Sequence, residues 1–236
     1  MTTVTDWPDL PSDRNYNDWA SLECSRQLRP RFQAAIAEMM EHVQDRGLIQ
    51  PGLAYQTIAL ENIDGDVLHM AGGTKLTEAP IVADKFRKAQ KLVLAVATIG
   101  PGLENEVSEF FKIKKAVNAL ALEEIAVAAM FELNNLIGVH IAEVAGVEGL
   151  KVSSPLFPGN DGFALSQQRV LYDLAGGGDI GLSVSGLGML SPVKSASMVF
   201  AIGGSAPTWD RNSDCSTCKA RELCRFRNRE TTSIAA

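Results

Sequence analysis

Three cysteines stand close together near the end of this sequence, in the run Cys215-x2-Cys218-x5-Cys224. Two thiolates at that x2 spacing can clasp one metal ion or one cluster from a single turn of chain, and a third close by supplies most of a coordination shell. Lys219, Arg221 and Arg225 lie among them, where positive charge favours the thiolate form and offsets the charge of bound sulfur. The pattern points to zinc or an iron–sulfur cluster. A fourth ligand is absent from the run, and the spacing does not choose among Cys24, His42, His69, His140 and an exogenous group. The alternative is a set of free or redox-active thiols, since a two-ligand spacing without its full complement is weaker than a complete set.

A second stretch with chemical potential is Ser153 to Gly162, which holds two prolines and two glycines ahead of a helical pattern. Backbone amides in such a loop can receive a carboxylate at a helix N-terminus, although ordinary turn-making uses the same residues. Glu123 and Glu124 are adjacent acids in the longest helical pattern, but acid–base catalysis needs a positioned partner that the sequence does not name. Gly176-Gly-Gly178 lacks the strand and helix of a dinucleotide fingerprint, and three histidines do not assemble into a Ser-His-Asp set.

These groups need elements to hold them. An opening segment to about residue 20 has no periodicity and reads as an arm over the domain surface. From Gln27 to Leu48, the spacing of Leu28, Phe32, Ile36, Met39, Met40 and Val43 predicts a helix, stopped near Gly47. Ala54 to Leu60 and Val67 to Met70 flank Asp64-Gly65-Asp66 and predict a hairpin. A short helical pattern lies within 77–91, and the continuous apolar run Leu92 to Thr98 predicts a strand covered on both faces. It ends at Thr98-Ile99-Gly100-Pro101-Gly102, with Pro101 suited to the start of the next helix. Ala116 to Ala145 is the longest helical pattern and is rich in Ala. Phe163 to Leu174 reads as a helix, and Ile180 to Ser185 and Ala196 to Ile202 as strands. The predicted class is α+β with a mixed or antiparallel sheet, in one domain over 1–210 followed by a Cys-rich unit over 211–236.

Composition bounds the possibilities. The chain of 236 residues is 46% hydrophobic and 21% charged, which is ordinary for a globular protein that buries a core without disulfides. Its net charge of −6 argues against a surface that grips nucleic acid. Residues 1–14 carry no basic segment followed by an apolar one, and the apolar stretches at 92–99 and 117–131 are short or interrupted by Glu, so the expectation is a cytoplasmic protein that does not span a membrane. Cysteines clustered in one run fit a reducing compartment better than a secreted disulfide framework.

Four pieces, in this order, resemble the S-adenosylmethionine-binding activation domain of cobalamin-dependent methionine synthase, especially its short stand-alone relatives. Leu94-Ala-Val-Ala-Thr-Ile-Gly-Pro-Gly102 is similar to that family's strand-to-helix turn, and Ala119-Leu-Ala-Leu-Glu-Glu-Ile125 to the long helix after it. Pro158-Gly159 through Leu165 and Gln168 resembles the loop S-P-G-Y-G-D-x-P-L-x-x-Q, and Leu182 to Ser197 resembles a segment ending M-x-x-P-x-K-S-x-S. A Cys-rich tail followed by Arg also occurs in short relatives. The resemblance runs from about Leu92 to Arg227.

It implies an accessory protein of corrinoid-dependent methyl transfer. Such a protein docks on a cobalamin protein or methyltransferase whose cobalt has oxidised and presents S-adenosylmethionine during reductive reactivation, while a metal centre at Cys215, Cys218 and Cys224 relays the electron. The cofactor-binding residues it implies are Pro158, Gly159, Asn160, Met189, Lys194 and Ser195. The departures are equally specific. A family Arg and Tyr that help to hold the ligand are here Pro155 and Asn160, and an acidic position falls at Gly186. Those replacements support a second reading, a non-catalytic metal-binding interaction protein on the same fold.

Overall fold

The computed structural model describes residues 1–5 and 30–203. An all-antiparallel sheet forms its centre, with strands β1 (Thr2–Val4), β2 (Gly52–Asp64), β3 (Val67–Met70), β4 (Thr74–Leu76), β5 (Lys91–Thr98), β6 (Lys151–Val152) and β9 (Ser195–Gly203). The order is β4-β3-β2-β5-β9-β6, and β1 pairs with the opening residues of β2. A small separate ribbon joins β7 (Ser183–Val184) to β8 (Leu190–Ser191). The helices are α1 (Pro30–Arg46), α2 (Pro80–Lys85), α3 (Gly102–Lys112), α4 (Ala116–Gly146) and α5 (Gln167–Ala175).

β5 is central because its apolar run has no polar face to leave in water. Val93, Ala95 and Ala97 point to one side, where α1, α3 and α4 bury Met39, Val43, Leu103, Leu122, Ile125 and Ile137 against them. Leu92 and Leu94 point to the other, beneath Val82, Phe86, Phe163 and Leu171. Side chains that alternate along a strand thus feed two cores, which is why the sequence shows a continuous run and no alternation. β9 repeats the pattern, with Met198 and Phe200 on the first face and Val199 and Ala201 on the second. Ala119, Ala126 and Ala129 let α4 lie close on the sheet.

The hairpin is longer than its apolar signal, because β2 continues through Asp64 and carries a register irregularity between Leu60 and Asn62. Three expectations need correction. The segment from Phe163 enters a helix only at Gln167, since Phe163 is fixed as a buried plug in the second core. The stretch from Ile180 to Ser185 is not a sheet strand: Gly177–Ile180 is a 3-10 turn, and only Ser183–Val184 pair, with β8. The opening arm begins with a strand, Thr2 to Val4 against Leu53 to Tyr55. The remainder of that arm, residues 27–29 of the predicted first helix, and Cys24, Cys215, Cys218 and Cys224 lie outside the described residues. α4, at 31 residues, reaches membrane-spanning length, yet its buried residues from Ala119 to Ala145 belong to the core.

Candidate functional site

The end of β5 and the start of β9 meet in a polar knot. Ser195 pairs with Thr98 across the sheet, and its hydroxyl donates to the Pro192 carbonyl at 2.7 Å and lies 2.9 Å from Thr98 Oγ1. The Gly100 N–H donates back to Thr98 Oγ1 at 3.0 Å, and the Ile99 N–H to the Lys194 carbonyl at 3.2 Å. Two carboxylates hold the same loop from outside. Glu104, in the first turn of α3, accepts the Val193 N–H at 2.8 Å, and Glu123 of α4 accepts from Lys194 Nζ at 2.6 Å. Glu123 is thus tied to Lys194, 71 residues away in the chain, in an ion pair that holds the loop.

The turn below this knot is tightly built. A methyl group on Gly102 would sit 2.3 Å from the Leu48 carbonyl oxygen, so α3 can begin there only with glycine. Pro101 is the residue just ahead of the helix, one position earlier than expected.

The loop after β6 runs along the outer edge of β9. Ser153 is bonded to Ala201 through both its N–H and its side chain, and Leu156 pairs with Val199, so Ser154 and Pro155 stand between two anchored points. The chain then turns at Gly159, whose φ of +92° suits glycine. The Gly159 N–H donates to the Phe163 carbonyl at 2.8 Å and the Asn160 N–H to Phe157 at 3.2 Å. These two amides are spent inside the loop.

Gln168 joins this loop to the β7–β8 ribbon. From the first turn of α5, its Oε1 accepts from the buried Ser197 hydroxyl at 3.1 Å, and its Nε2 donates to the Gly188 carbonyl. Leu165 lies beside both glycines, since a methyl on Gly159 would touch its Cδ1 at 3.5 Å and one on Gly188 would come 3.4 Å from its carbonyl oxygen. Pro158, Gly159, Asn160 and Met189 are thereby gathered at one rim. Leu165, Leu187, Met189 and Val193 are exposed there, at 38%, 87%, 55% and 62%.

No family model and no curated protein matches the chain. A search of solved structures gives a different result, with a match to the MetH reactivation domain bound to AdoHcy at a TM-score of 0.54 and 12% sequence identity. The chain shares that domain's fold. The match covers 76% of this chain and 66% of that one, so this chain spans just under two thirds of that structure's length. At this identity the likeness is one of architecture: the antiparallel sheet and the long helix.

The rim offers little to an S-adenosylmethionine carboxylate. Between 153 and 165 and between 183 and 195, the only Lys or Arg is Lys194, already held by Glu123. Arg169, next to Gln168, pairs with Asp173 at 2.8 Å on an exposed helix face, and that contact raises its pKa. Among the described residues, the two rim segments thus supply no cation beyond the Glu123-bound Lys194 for an ion pair with a ligand carboxylate. Among the described residues no group of three His, Cys, Asp or Glu side chains is placed to hold a metal ion. Of the histidines considered as ligands, His42 contacts Glu106 at 2.6 Å and His140 contacts Tyr55 at 3.3 Å, whereas His69 lies on β3. The signals missed in the sequence were long-range ones: nothing local marks Glu104 as the acceptor for Val193 or Ser197 as the partner of Gln168.

Proposed function

We propose that this protein is an accessory protein of corrinoid-dependent methyl transfer that docks on a cobalamin protein and supports its reductive reactivation. The observation that carries this reading is the fold shared with the MetH reactivation domain, together with the rim that brings the 158–165 and 185–195 segments side by side. In this reading Pro158, Gly159, Asn160 and Met189 face the ligand or partner. Lys194 and Ser195 are positioning residues that fix the loop from behind through Glu123, Thr98 and Pro192. The corrinoid and the electron come from partners, and the protein contributes orientation.

S-adenosylmethionine binds weakly at this rim, because Pro155 stands at the family's Arg position and a charge-assisted hydrogen bond of about 1.5–3 kcal/mol is lost with it. Calorimetric titration should give a dissociation constant well above the micromolar range. Surface-immobilised protein should nevertheless retain a cobalamin protein from the same cell. Micromolar or tighter binding of S-adenosylmethionine would show that other residues have taken over the ligand, and failure to retain any corrinoid protein, oxidised or reduced, would remove the reading.

A second reading is favoured by the same missing cation: a non-catalytic interaction protein on this fold, whose Cys215, Cys218 and Cys224 bind zinc or an iron–sulfur cluster. It keeps the docking rim and dispenses with the methyl donor.

A further inference from the structure

We infer that the partner is gripped at a second place, the corner between α3 and α4, and that this corner selects a protein surface with acidic residues set around an apolar patch. The inference rests on the accessory-protein reading. The corner runs Phe111-Lys-Ile-Lys-Lys-Ala-Val117, and every one of these residues is exposed. Phe111, Ile113 and Val117 are large apolar groups in water, joined by Leu120 one turn into α4.

Lys112, Lys114 and Lys115 alternate with these side chains in a chain whose net charge is −6, so the corner is a local positive spot on an acidic molecule. Lys112 contacts Glu109 at 2.6 Å on an exposed helix face, a pairing that a partner carboxylate can replace at little cost. Lys115 Nζ lies 5.7 Å from the centre of the Phe110 ring. Lys114 holds a φ of +60°, unusual for a residue with a side chain.

The corner is continuous with the candidate site. Glu123 grips Lys194, Leu120 neighbours it at i−3 on α4, and Val117 neighbours Leu120 at i−3 in turn, so the line of residues winds toward the corner. The path from Glu123 to Ala116 is about 10 Å at the rise of an α-helix. Val193, Leu120 and Val117 are exposed apolar residues on the two segments that the Lys194–Glu123 pair joins, so a protein seated on the rim lies within reach of the lysines. Opposite charge at the corner fixes orientation and speeds encounter.

The test uses the full chain and the cobalamin protein of the same cell, purified with its corrinoid. Lys114→Glu combined with Lys115→Glu puts acids at the N-terminus of α4, where the helix dipole favours them, so the variant should fold. Leu120→Glu changes an exposed position. Each variant should weaken binding by about tenfold or more, and the double variant should flatten its salt dependence. A charge-matched control, Lys75→Glu with Lys88→Glu, should bind as the unmodified protein does. Unchanged binding by both corner variants would overturn the second grip and leave the accessory reading standing, whereas no binding by the unmodified protein would overturn both. Equal losses in corner and control variants would reduce the effect to net charge and overturn the corner's role. Capture on phosphatidylserine vesicles that the corner variants lose, with corrinoid-protein binding intact, would assign the corner to lipid instead.

Discussion

Gly102 shows how much a single position decides at this site. It is a motif residue of the Thr-x-Gly-Pro-Gly type, which invites a phosphate- or ligand-cradling interpretation, yet the atom facing it is the Leu48 carbonyl oxygen. Gly102→Ala should destabilise the protein by about 1–3 kcal/mol or more, as overpacking against backbone does, read as a lower urea midpoint with an unchanged slope. A neutral result would mean that the α1–β2 connection can move away. Lys194 and Ser195 carry a similar lesson. The family resemblance implies ligand contacts for them, and their side chains bond to Glu123, Pro192 and Thr98.

At the scale of elements, Gln168 links α5, β9 and the β7–β8 ribbon. Gln168→Ala would leave the Ser197 hydroxyl and the Gly188 carbonyl without this partner, at a cost of about 1–3 kcal/mol for groups left unsatisfied in the interior. Hydrogen exchange should show faster exchange at the Ser185 and Gly188 amides, which close the ribbon's loop; protection equal to the unmodified protein would show that the ribbon holds itself. The long helix, the central strand and the hairpin were legible in sequence because each advertises itself by periodicity or turn chemistry over many residues. The 163–191 stretch was not. Its helix is short, its strands have two residues each, and its shape is set by Phe163 in the second core and by Gln168, neither of which leaves a periodic trace. The rim was readable as two motif-bearing segments, but not as one place, because the bonds that join them connect residues far apart in the chain.

For the whole molecule, the stretch 203–214, where Gly, Ser, Pro and Asn cluster, separates the core elements from the run holding Cys215, Cys218 and Cys224 in the sequence. Truncation after Asp214 should therefore leave a single cooperative unfolding transition. Anaerobically purified full chain should contain zinc, or iron with acid-labile sulfide, and both Cys218→Ala and the truncation should lose it. Absence of every transition metal from the full chain would remove the metal proposal, and loss of cooperativity on truncation would make the tail part of the fold.

The order of strands also sets a timetable for synthesis. β5 lies between β2, which precedes it closely, and β9, whose first residue, Ser195, pairs with Thr98. When β5 leaves the ribosome, one of its edges can close on β2 at once, while the other must wait for about a hundred more residues, roughly 5–20 s at ordinary rates of translation. For that interval the most apolar strand of the protein offers an open edge, the feature from which chains pair wrongly with one another. The long Ala-rich helix is made within the same interval, and by packing on the exposed Val93, Ala95 and Ala97 it can cover one face of the waiting strand before its last neighbour exists.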